Sequence, residues 1–260
     1  MTGKGFEPRL GKDLREGKAI VVRDNGGDRM STKGLIREFF RPVWIRIDRI
    51  FEKIWVFARI GHLLSSRNDV HQYWRQPTDA GNSPQSYLEG AARSQFLVEI
   101  IKKYAKPNAK ILEIGCNAGR NPNHLFQAGF GDLSGIEINE RAVQLLKQSF
   151  PEMADHTAIY NAPVEESTGQ FWDGEFDIVF TMAVLEHIHR DSTWVFPEIV
   201  RIAKDYLVTI EDERGLSGRH FPRNYKRVFE SLGMEQIEET RCDEIDGLGS
   251  DFYARAFAKR

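Results

Sequence analysis

Residues 111–121 read Ile111-Leu-Glu-Ile-Gly115-Cys-Asn-Ala-Gly119-Arg-Asn121 and predict a strand, a tight turn and a helix in immediate succession. Gly115 allows the chain to leave the strand tightly, and Gly119 allows the helix to start close to a ligand or to the sheet. The free N–H groups at the start of such a helix favour a polar or anionic ligand group. The stretch therefore predicts a ligand-binding turn at the end of a buried strand.

On both sides of this turn, short apolar strands alternate with helices. Strands are predicted at 110–114, 133–138, 157–160, 176–181, 206–210, 234–240 and 252–258, and helices at 86–105, 121–128, 139–150, 193–203 and 224–232. This alternation predicts an α/β fold with a mostly parallel seven-stranded sheet and helices on both faces. No helix separates the last two strands, so one of them should run antiparallel, in a C-terminal hairpin.

A carboxylate follows the second predicted strand. Glu137 lies 18 residues after Gly119, and in dinucleotide-binding folds an acid at about this distance binds the ribose hydroxyls. The dinucleotide fingerprint needs glycine at its first, third and sixth positions, which here hold Gly115, Asn117 and Arg120. The pattern therefore argues against an NAD-dependent dehydrogenase. A solvated, helix-capping role for Glu137 stays open.

The segment 113–119 resembles the first motif of class I S-adenosylmethionine-dependent methyltransferases, acid-x-Gly-x-Gly-x-Gly, with Asn117 at the middle glycine. Asn tolerates left-handed backbone angles better than most residues. The segment Phe-Asp-Ile-Val-Phe at 176–180, followed by Val-Leu-Glu-His-Ile at 184–188, resembles the fourth-strand motif of the same family. The resemblance covers about residues 85–260. It implies a Rossmann-like fold and S-adenosyl-L-methionine as cofactor.

The resemblance also implies which residues bind the cofactor. The cofactor would be wrapped by Gly115, Cys116, Asn117 and Gly119, and its ribose would be held by Glu137. The adenine would lie beside Ile138, Asn161 and Ala162, and the sulfonium above Met182 and Ala183. The methionine carboxylate could be reached by Tyr87 and Arg93. An Arg–carboxylate pair suits that last role.

Methyl transfer from a sulfonium is an in-line displacement, so the protein chiefly aligns nucleophile, methyl carbon and sulfur. A hydroxyl acceptor also needs a base, and histidine is the usual one near neutral pH. We take His187 as the first candidate and His220 as the second, while a structural role for His187 stays open. We expect His189 at the surface and the acids at 211–213 in a solvated loop.

A metal site is an alternative use of the same residues. Glu186 and His187, joined by His220 or Glu211, offer ligands for a divalent ion. The pair partly resembles the Glu-x-x-Glu-His motif of small-RNA 2′-O-methyltransferases, but Ala183 stands at its first Glu. The sequence therefore predicts no metal.

Charge is unevenly distributed along the 260 residues. Residues 1–75 contain 16 Lys and Arg against 9 Asp and Glu, and the rest contains 20 against 29. Residues 1–33 lack periodicity and predict a flexible basic tail, 34–75 predict an amphipathic helical extension, and 76–260 the methyltransferase domain. In 34–64, Trp and Phe alternate with Arg and Lys. This face could pack on the domain, pair two copies of the chain, or lie on an anionic membrane.

The remaining features bound the function. Two cysteines imply no disulfide framework. The sequence shows neither a signal peptide nor a membrane-spanning stretch, so we expect a cytoplasmic protein. Peripheral contact with a membrane through residues 34–64 is an option. The expected reaction is O-methylation of a small-molecule, glycan or lipid-linked acceptor. The alternatives are an RNA methyltransferase, disfavoured by the acidic domain, and a non-catalytic nucleoside-binding protein of the same fold.

Overall fold

A seven-stranded sheet lies at the centre of the part of the chain that the computed structural model describes, residues 65–215 and 217–260. The strands are β1 (Lys110–Ile114), β2 (Asp132–Ile136), β3 (Thr157–Tyr160), β4 (Phe176–Met182), β5 (Ala203–Asp212), β6 (Met234–Arg241) and β7 (Phe252–Lys259). Their order is β3-β2-β1-β4-β5-β7-β6. Strands β1 to β5 run parallel, and β7 runs antiparallel to both neighbours. The predicted Rossmann-like sheet with its C-terminal hairpin is confirmed.

Helices cover both faces of this sheet. They are α1 (Arg67–Arg75), α2 (Ala91–Tyr104), α3 (Arg120–Gln127), α4 (Glu140–Ser149), α5 (Pro151–Asp155), α6 (Val164–Ser167), α7 (Val195–Ile202) and α8 (Tyr225–Ser231). Side chains alternate along the strands, so that Ile111 of β1 packs with α2 and α3, whereas Leu112 packs with α7 and α8. None of the helices within 65–215 and 217–260 is long and apolar enough to cross a membrane.

The start of α2 differs from the predicted helix at 86–105. A 3-10 helix covers Pro84–Leu88, Glu89 is extended, and α2 begins only at Ala91. Gly90 has φ 92°, a left-handed conformation that interrupts any helix running through it. A Cβ at Gly90 would also collide with the guanidinium of Arg93. The chain therefore turns here, and this turn brings residues 84–90 over the ligand-binding edge of the sheet.

Two expectations about polar residues after β4 and β5 are wrong. His189 is buried at 2% exposure, and its Nε2 donates to the Ser65 carbonyl at 2.9 Å. Glu211 lies inside β5 with no exposed surface. Both side chains are buried because they contact distant parts of the chain, and the local polarity of the sequence does not show such contacts. The predictions for 1–33 and for 34–64 fall outside the described residues.

Candidate active site

A cleft opens at the carboxyl ends of β1, β2 and β4, where α/β sheets bind ligands. Its empty volume is about 1180 Å³, which includes the open solvent at its mouth. It is lined by Val70, His71, Trp74, Pro77, Tyr87, Arg93, Glu113–Ala118, Arg120, Asn121, Ile136–Asn139, Ala162–Glu165, Met182–Val184, His187, Ile188, Gly247, Leu248 and Phe252.

The turn after β1 forms the floor of this cleft. Gly115 and Asn117 have φ values of 78° and 46°, so both are left-handed. Asn117 thus adopts the conformation that the sequence analysis expected of it. A Cβ at Gly115 would overlap the side chain of Val184. The Asn117 Oδ1 accepts the N–H of Ala118 at 2.8 Å, which helps to hold the turn.

The Glu137 carboxylate faces the cleft from the end of β2. Its Oε2 accepts the N–H of Asn117 at 2.8 Å, and its Oε1 accepts the N–H of Asn139 at 2.7 Å. Burial raises the pKa of Glu137 to about 7. A carboxylate offers roughly four acceptor positions, so both oxygens keep capacity for the hydroxyls of a ribose.

Two predicted cofactor residues support the cleft without lining it. A Cβ on Gly119 would lie 2.5 Å from the Leu146 Cγ, so this glycine allows α4 to pack closely on the turn. The Asn161 side chain is exposed, and its Nδ2 donates to the backbone carbonyl of Glu137 at 2.8 Å. The other predicted cofactor residues line the cleft: Tyr87, Arg93, Gly115, Cys116, Asn117, Glu137, Ile138, Ala162, Met182 and Ala183.

Arg120 is a cleft residue that the sequence analysis missed. It is 7% exposed and donates through Nη1 to the Tyr87 and Glu89 carbonyls and through Nε to Ser94. Burial lowers its pKa to about 10, which still leaves it charged at neutral pH. Its position at the start of α3 gave no signal in the sequence, because an Arg there is usually exposed.

Two buried polar atoms at this end of the cleft have no hydrogen-bond partner among the described residues: Glu113 Oε2 and Arg93 Nε. The other Glu113 oxygen accepts from Asn121 Nδ2 at 2.7 Å. Burial raises the pKa of Glu113 to about 8. Leaving buried polar atoms unpaired costs about 1–3 kcal/mol each. The ammonium of an amino-acid group would stabilise the ionised form of Glu113, and its carboxylate would accept from Arg93. S-adenosyl-L-methionine carries both groups.

A second, more polar pocket adjoins the cleft. The two share Trp74, Tyr87, Arg93, Ala183 and His187. The second pocket is further lined by Gly81, Asn82, Ser86, Glu186, Arg219 and His220. Part of its wall therefore comes from Trp74 of α1 and part from residues 81–87. These two parts lie on opposite sides of the domain boundary predicted between residues 75 and 76. An acceptor molecule in this pocket would lie next to a ligand in the cleft.

Both predicted base candidates lie in this second pocket. The His187 Nδ1 donates to the Arg219 carbonyl at 2.9 Å, and the ring packs against Trp74 in a tilted arrangement with centroids 4.4 Å apart. Burial, and then the neighbouring His220 imidazole, lower the pKa of His187 to about 3. The His220 ring lies 4.7 Å from that of His187. The structure thus brings both histidines together beside Glu186.

Glu211 holds the turn that carries these residues. Its Oε2 accepts the N–H groups of Val184 and Leu185 at 2.9 Å each and that of Glu186 at 3.4 Å. Ala183, just before this turn, has φ 55°, a strained angle for alanine that is typical of functional sites. Burial, together with the nearby Glu186 carboxylate, raises the pKa of Glu211 well above its ordinary value.

Comparison with known proteins identifies a family match and several relatives. Residues 112–206 match the family model described as "Methyltransferase domain". The chain is 33% identical over 86 residues to the ubiquinone biosynthesis O-methyltransferase of Aromatoleum aromaticum, and 26% identical over 96 residues to the eEF1A lysine and N-terminal methyltransferase of Mus musculus. These matches cover 33% and 37% of this chain, and 36% and 14% of those relatives' lengths.

Solved structures share the fold. The magnesium protoporphyrin IX methyltransferase of Synechocystis PCC 6803, crystallised with S-adenosylmethionine, superposes with a TM-score of 0.59 at 14% identity, over 76% of this chain and 98% of its own. A TehB-like S-adenosylmethionine-dependent methyltransferase from Corynebacterium glutamicum gives 0.51 at 24% identity, over 74% and 97%. At these identities the likeness establishes the fold.

Proposed function

We propose that this chain, whose residues 112–206 match the methyltransferase-domain family model, transfers the methyl group of S-adenosylmethionine to a hydroxyl oxygen of a small-molecule or glycan acceptor. When bound, the cofactor supplies a methyl group that its sulfonium charge already activates. The chain's own residues bind the donor in the first cleft, place the acceptor in the second pocket, and remove the hydroxyl proton.

The observation that carries the donor assignment is the pair of unpartnered buried atoms, Glu113 Oε2 and Arg93 Nε, in one cleft with Glu137. The guanidinium of Arg93 would pair with the methionine carboxylate, and Glu113 with the ammonium. Glu137 would accept the ribose hydroxyls. Each of these contacts satisfies a group that the folded chain otherwise buries at a cost.

The acceptor side rests on the polar second pocket. A hydroxyl there would lose its proton at the cluster of Glu186, His187 and His220. Its freed electron pair would form the new O–C bond while the C–S bond breaks onto sulfur. The low pKa of His187, about 3, keeps its imidazole unprotonated but makes it a weak base. We therefore assign the role of proton acceptor to the neighbouring His220, whose ring lies 4.7 Å away.

The acceptor class can be narrowed through the N-terminal arm. Its basic and aromatic sequence at 34–64 suits an acceptor held at an anionic membrane, such as a lipid-linked glycan. Co-sedimentation with anionic liposomes, with and without residues 1–64, tests this. We expect the full chain to partition with the vesicles and the shortened chain to stay in solution. If the full and the shortened chain partitioned equally, residues 34–64 would give no support for a membrane-held acceptor, and the proposal would be limited to soluble acceptors.

Calorimetric titration with S-adenosylhomocysteine and with NAD tests the donor assignment, and we expect the first to bind and the second to give no heat. Incubation with S-adenosylmethionine and separate pools of hydroxylated small molecules, glycans and RNA then tests the acceptor, by the amount of S-adenosylhomocysteine formed. No binding of S-adenosylhomocysteine would overturn the proposed activity. Binding without turnover on any pool would instead favour a non-catalytic nucleoside-binding protein.

A further inference from the structure

We propose that Glu186, His187 and His220 together bind one divalent metal ion, of the zinc-like class that prefers imidazole and carboxylate ligands. One ligand atom from each side chain lies within 4.8 Å of the other two. The sequence predicts no metal, because only the adjacent pair Glu186-His187 is visible in it. The fold supplies the third ligand from a loop more than thirty residues downstream.

The distances fit a shared ion better than hydrogen bonds. The Glu186 Oε1 lies 3.6 Å from the His187 Nε2 and 3.6 Å from the His220 Nε2. Both separations exceed the N–H···O range of about 2.7–3.2 Å. Two ligands about 2.0–2.2 Å from a tetrahedral zinc ion would lie roughly 3.3 Å apart. A small inward movement of these side chains would therefore complete the site.

Each ligand is held by a hydrogen bond on its far side. His187 donates its Nδ1 proton to the Arg219 carbonyl, which leaves the Nε2 lone pair facing Glu186. The His220 Nδ1 hydrogen-bonds to Ser217 Oγ at 2.5 Å. The second Glu186 oxygen accepts the N–H of Asp212. Metal-binding histidines and carboxylates usually have such outer partners, which fix their orientation.

A cation also explains the charge pattern. A buried oxygen of Glu186 lies 3.6 Å from the Nε2 lone pair of His187, an arrangement that a cation between the two atoms would stabilise. Trp74 packs on the His187 ring and shields this side of the cluster. Two imidazoles with one carboxylate form a ligand set typical of zinc rather than of magnesium.

Three protein ligands leave a coordination position free, as in catalytic rather than structural zinc sites. All three side chains line the second pocket. If the proposed function holds, the free position would take the acceptor hydroxyl and lower its pKa. With the ion bound, the histidine lone pairs would be engaged, so the hydroxyl proton would pass to water instead of to the cluster. The oxygen electron pair would then attack the methyl carbon as the C–S pair returns to sulfur.

The test uses the full chain after chelation and removal of the chelator, with Zn²⁺ and Co²⁺ as probes. We expect one equivalent of bound Zn²⁺ by elemental analysis, and visible ligand-field absorption with Co²⁺. Glu186→Gln and His220→Gln should each weaken Zn²⁺ binding at least about 100-fold, and Ser217→Ala about 10-fold or more. His156→Gln is the matched control, because this histidine is exposed and lies outside the cluster, where its Nδ1 hydrogen-bonds to the Glu152 carbonyl and its ring contacts Phe126.

Titration of the metal-free chain and of each variant with S-adenosylhomocysteine separates the two proposals. Retained nucleoside binding shows that a variant is folded and that the donor site is intact. Wild-type stoichiometry well below one, or variants that bind Zn²⁺ as tightly as the wild type, would overturn the metal site alone. Absent S-adenosylhomocysteine binding, with or without Zn²⁺, would overturn the proposed function instead.

Discussion

Glu137 accepts the backbone N–H of Asn117 at 2.8 Å, so the acid after β2 is tied to the turn after β1. Its other oxygen accepts the N–H of Asn139, the residue that caps α4. One buried carboxylate thus aligns two loops at the edge of the sheet. Its ionisation therefore affects both the shape of the cleft and the acceptors that the cleft offers.

The affinity for S-adenosylhomocysteine should fall as the pH drops below about 7. Burial raises the pKa of Glu137 to about 7, and only the ionised form can accept hydrogen bonds from ribose hydroxyls at both oxygens. Each further pH unit should cost up to about tenfold in affinity. Calorimetry at about pH 6 and about pH 8 measures this change.

Glu137→Gln is the companion variant for this pH series, and it should bind more weakly throughout and lose the trend. Among the titratable groups that line the cleft, Glu113 and Cys116 interact electrostatically with Glu137. Burial raises the pKa of the Cys116 thiol well above its ordinary value, so it stays neutral. The variant Glu113→Gln measures how much of the pH dependence is due to Glu113. A Glu137→Gln variant with the wild-type pH dependence would contradict the assignment.

Glu113 should make the folded chain less stable as the pH rises. Burial raises its pKa from 4.5 to about 8, so the folded state holds a proton that the unfolded state releases. The free energy of unfolding should therefore decrease between about pH 4.5 and about pH 8. Glu113→Gln mimics the protonated form, so its Tm relative to wild type should increase across this range. Glu99→Gln, at an exposed acid, should show no such change.

Gly119 and Gly129 offer a matched pair for separating backbone strain from steric overlap. Both have positive φ, 82° and 96°, but a Cβ meets Leu146 at Gly119 and nothing within 4 Å at Gly129. Gly129→Ala should cost about 1–2 kcal/mol from the left-handed angle alone. Gly119→Ala should cost about 1–3 kcal/mol more, from overpacking. Urea unfolding measures both, and equal losses would mean that Leu146 moves aside freely.

Glu211 should tolerate an amide and not an apolar side chain. One of its oxygens accepts three N–H groups, while the other is buried with no hydrogen-bond partner among residues 65–215 and 217–260. Burial and the nearby Glu186 raise its pKa well above the ordinary value, which favours the protonated form. Glu211→Gln resembles that form and should change the unfolding free energy by less than about 1 kcal/mol. Glu211→Leu leaves three N–H groups unpaired at about 1–3 kcal/mol each. Similar denaturation midpoints for both variants would contradict this.

The sequence reveals the sheet because its strands are short, apolar and separated by helices. Even the hairpin of β6 and β7 follows from the absence of a helix between them. The turn at Gly115 and the acid at Glu137 are also readable, because both lie at fixed places after strands. These features depend on local order along the chain, which a single sequence contains.

Long-range contacts account for what the sequence does not reveal. Arg120 is buried because carbonyls of residues 87 and 89 turn back over it. Trp74 belongs to the site only because α1 lies across the pocket, against His187. His220 and Glu186 meet through the packing of two loops. Gly119 matches a cofactor motif, yet its contact is with Leu146.

Arg93 should discriminate between ligands with and without a methionine group. Arg93 lines the cleft, and its Nε has no hydrogen-bond partner among the described residues, so we expect it to contact the carboxylate of S-adenosylhomocysteine. Methylthioadenosine keeps the adenine and ribose but lacks that carboxylate. Wild-type chain should therefore bind S-adenosylhomocysteine much more tightly, and Arg93→Gln should reduce this preference by about 10-fold or more, since charge-assisted hydrogen bonds contribute about 1.5–3 kcal/mol. Arg67→Gln, at an exposed position on α1, should keep the full preference. If Arg93→Gln weakened both ligands equally, the side chain would only support the fold around Gly90 and Gly247, between which it lies, and the carboxylate would have to bind to Arg120 instead.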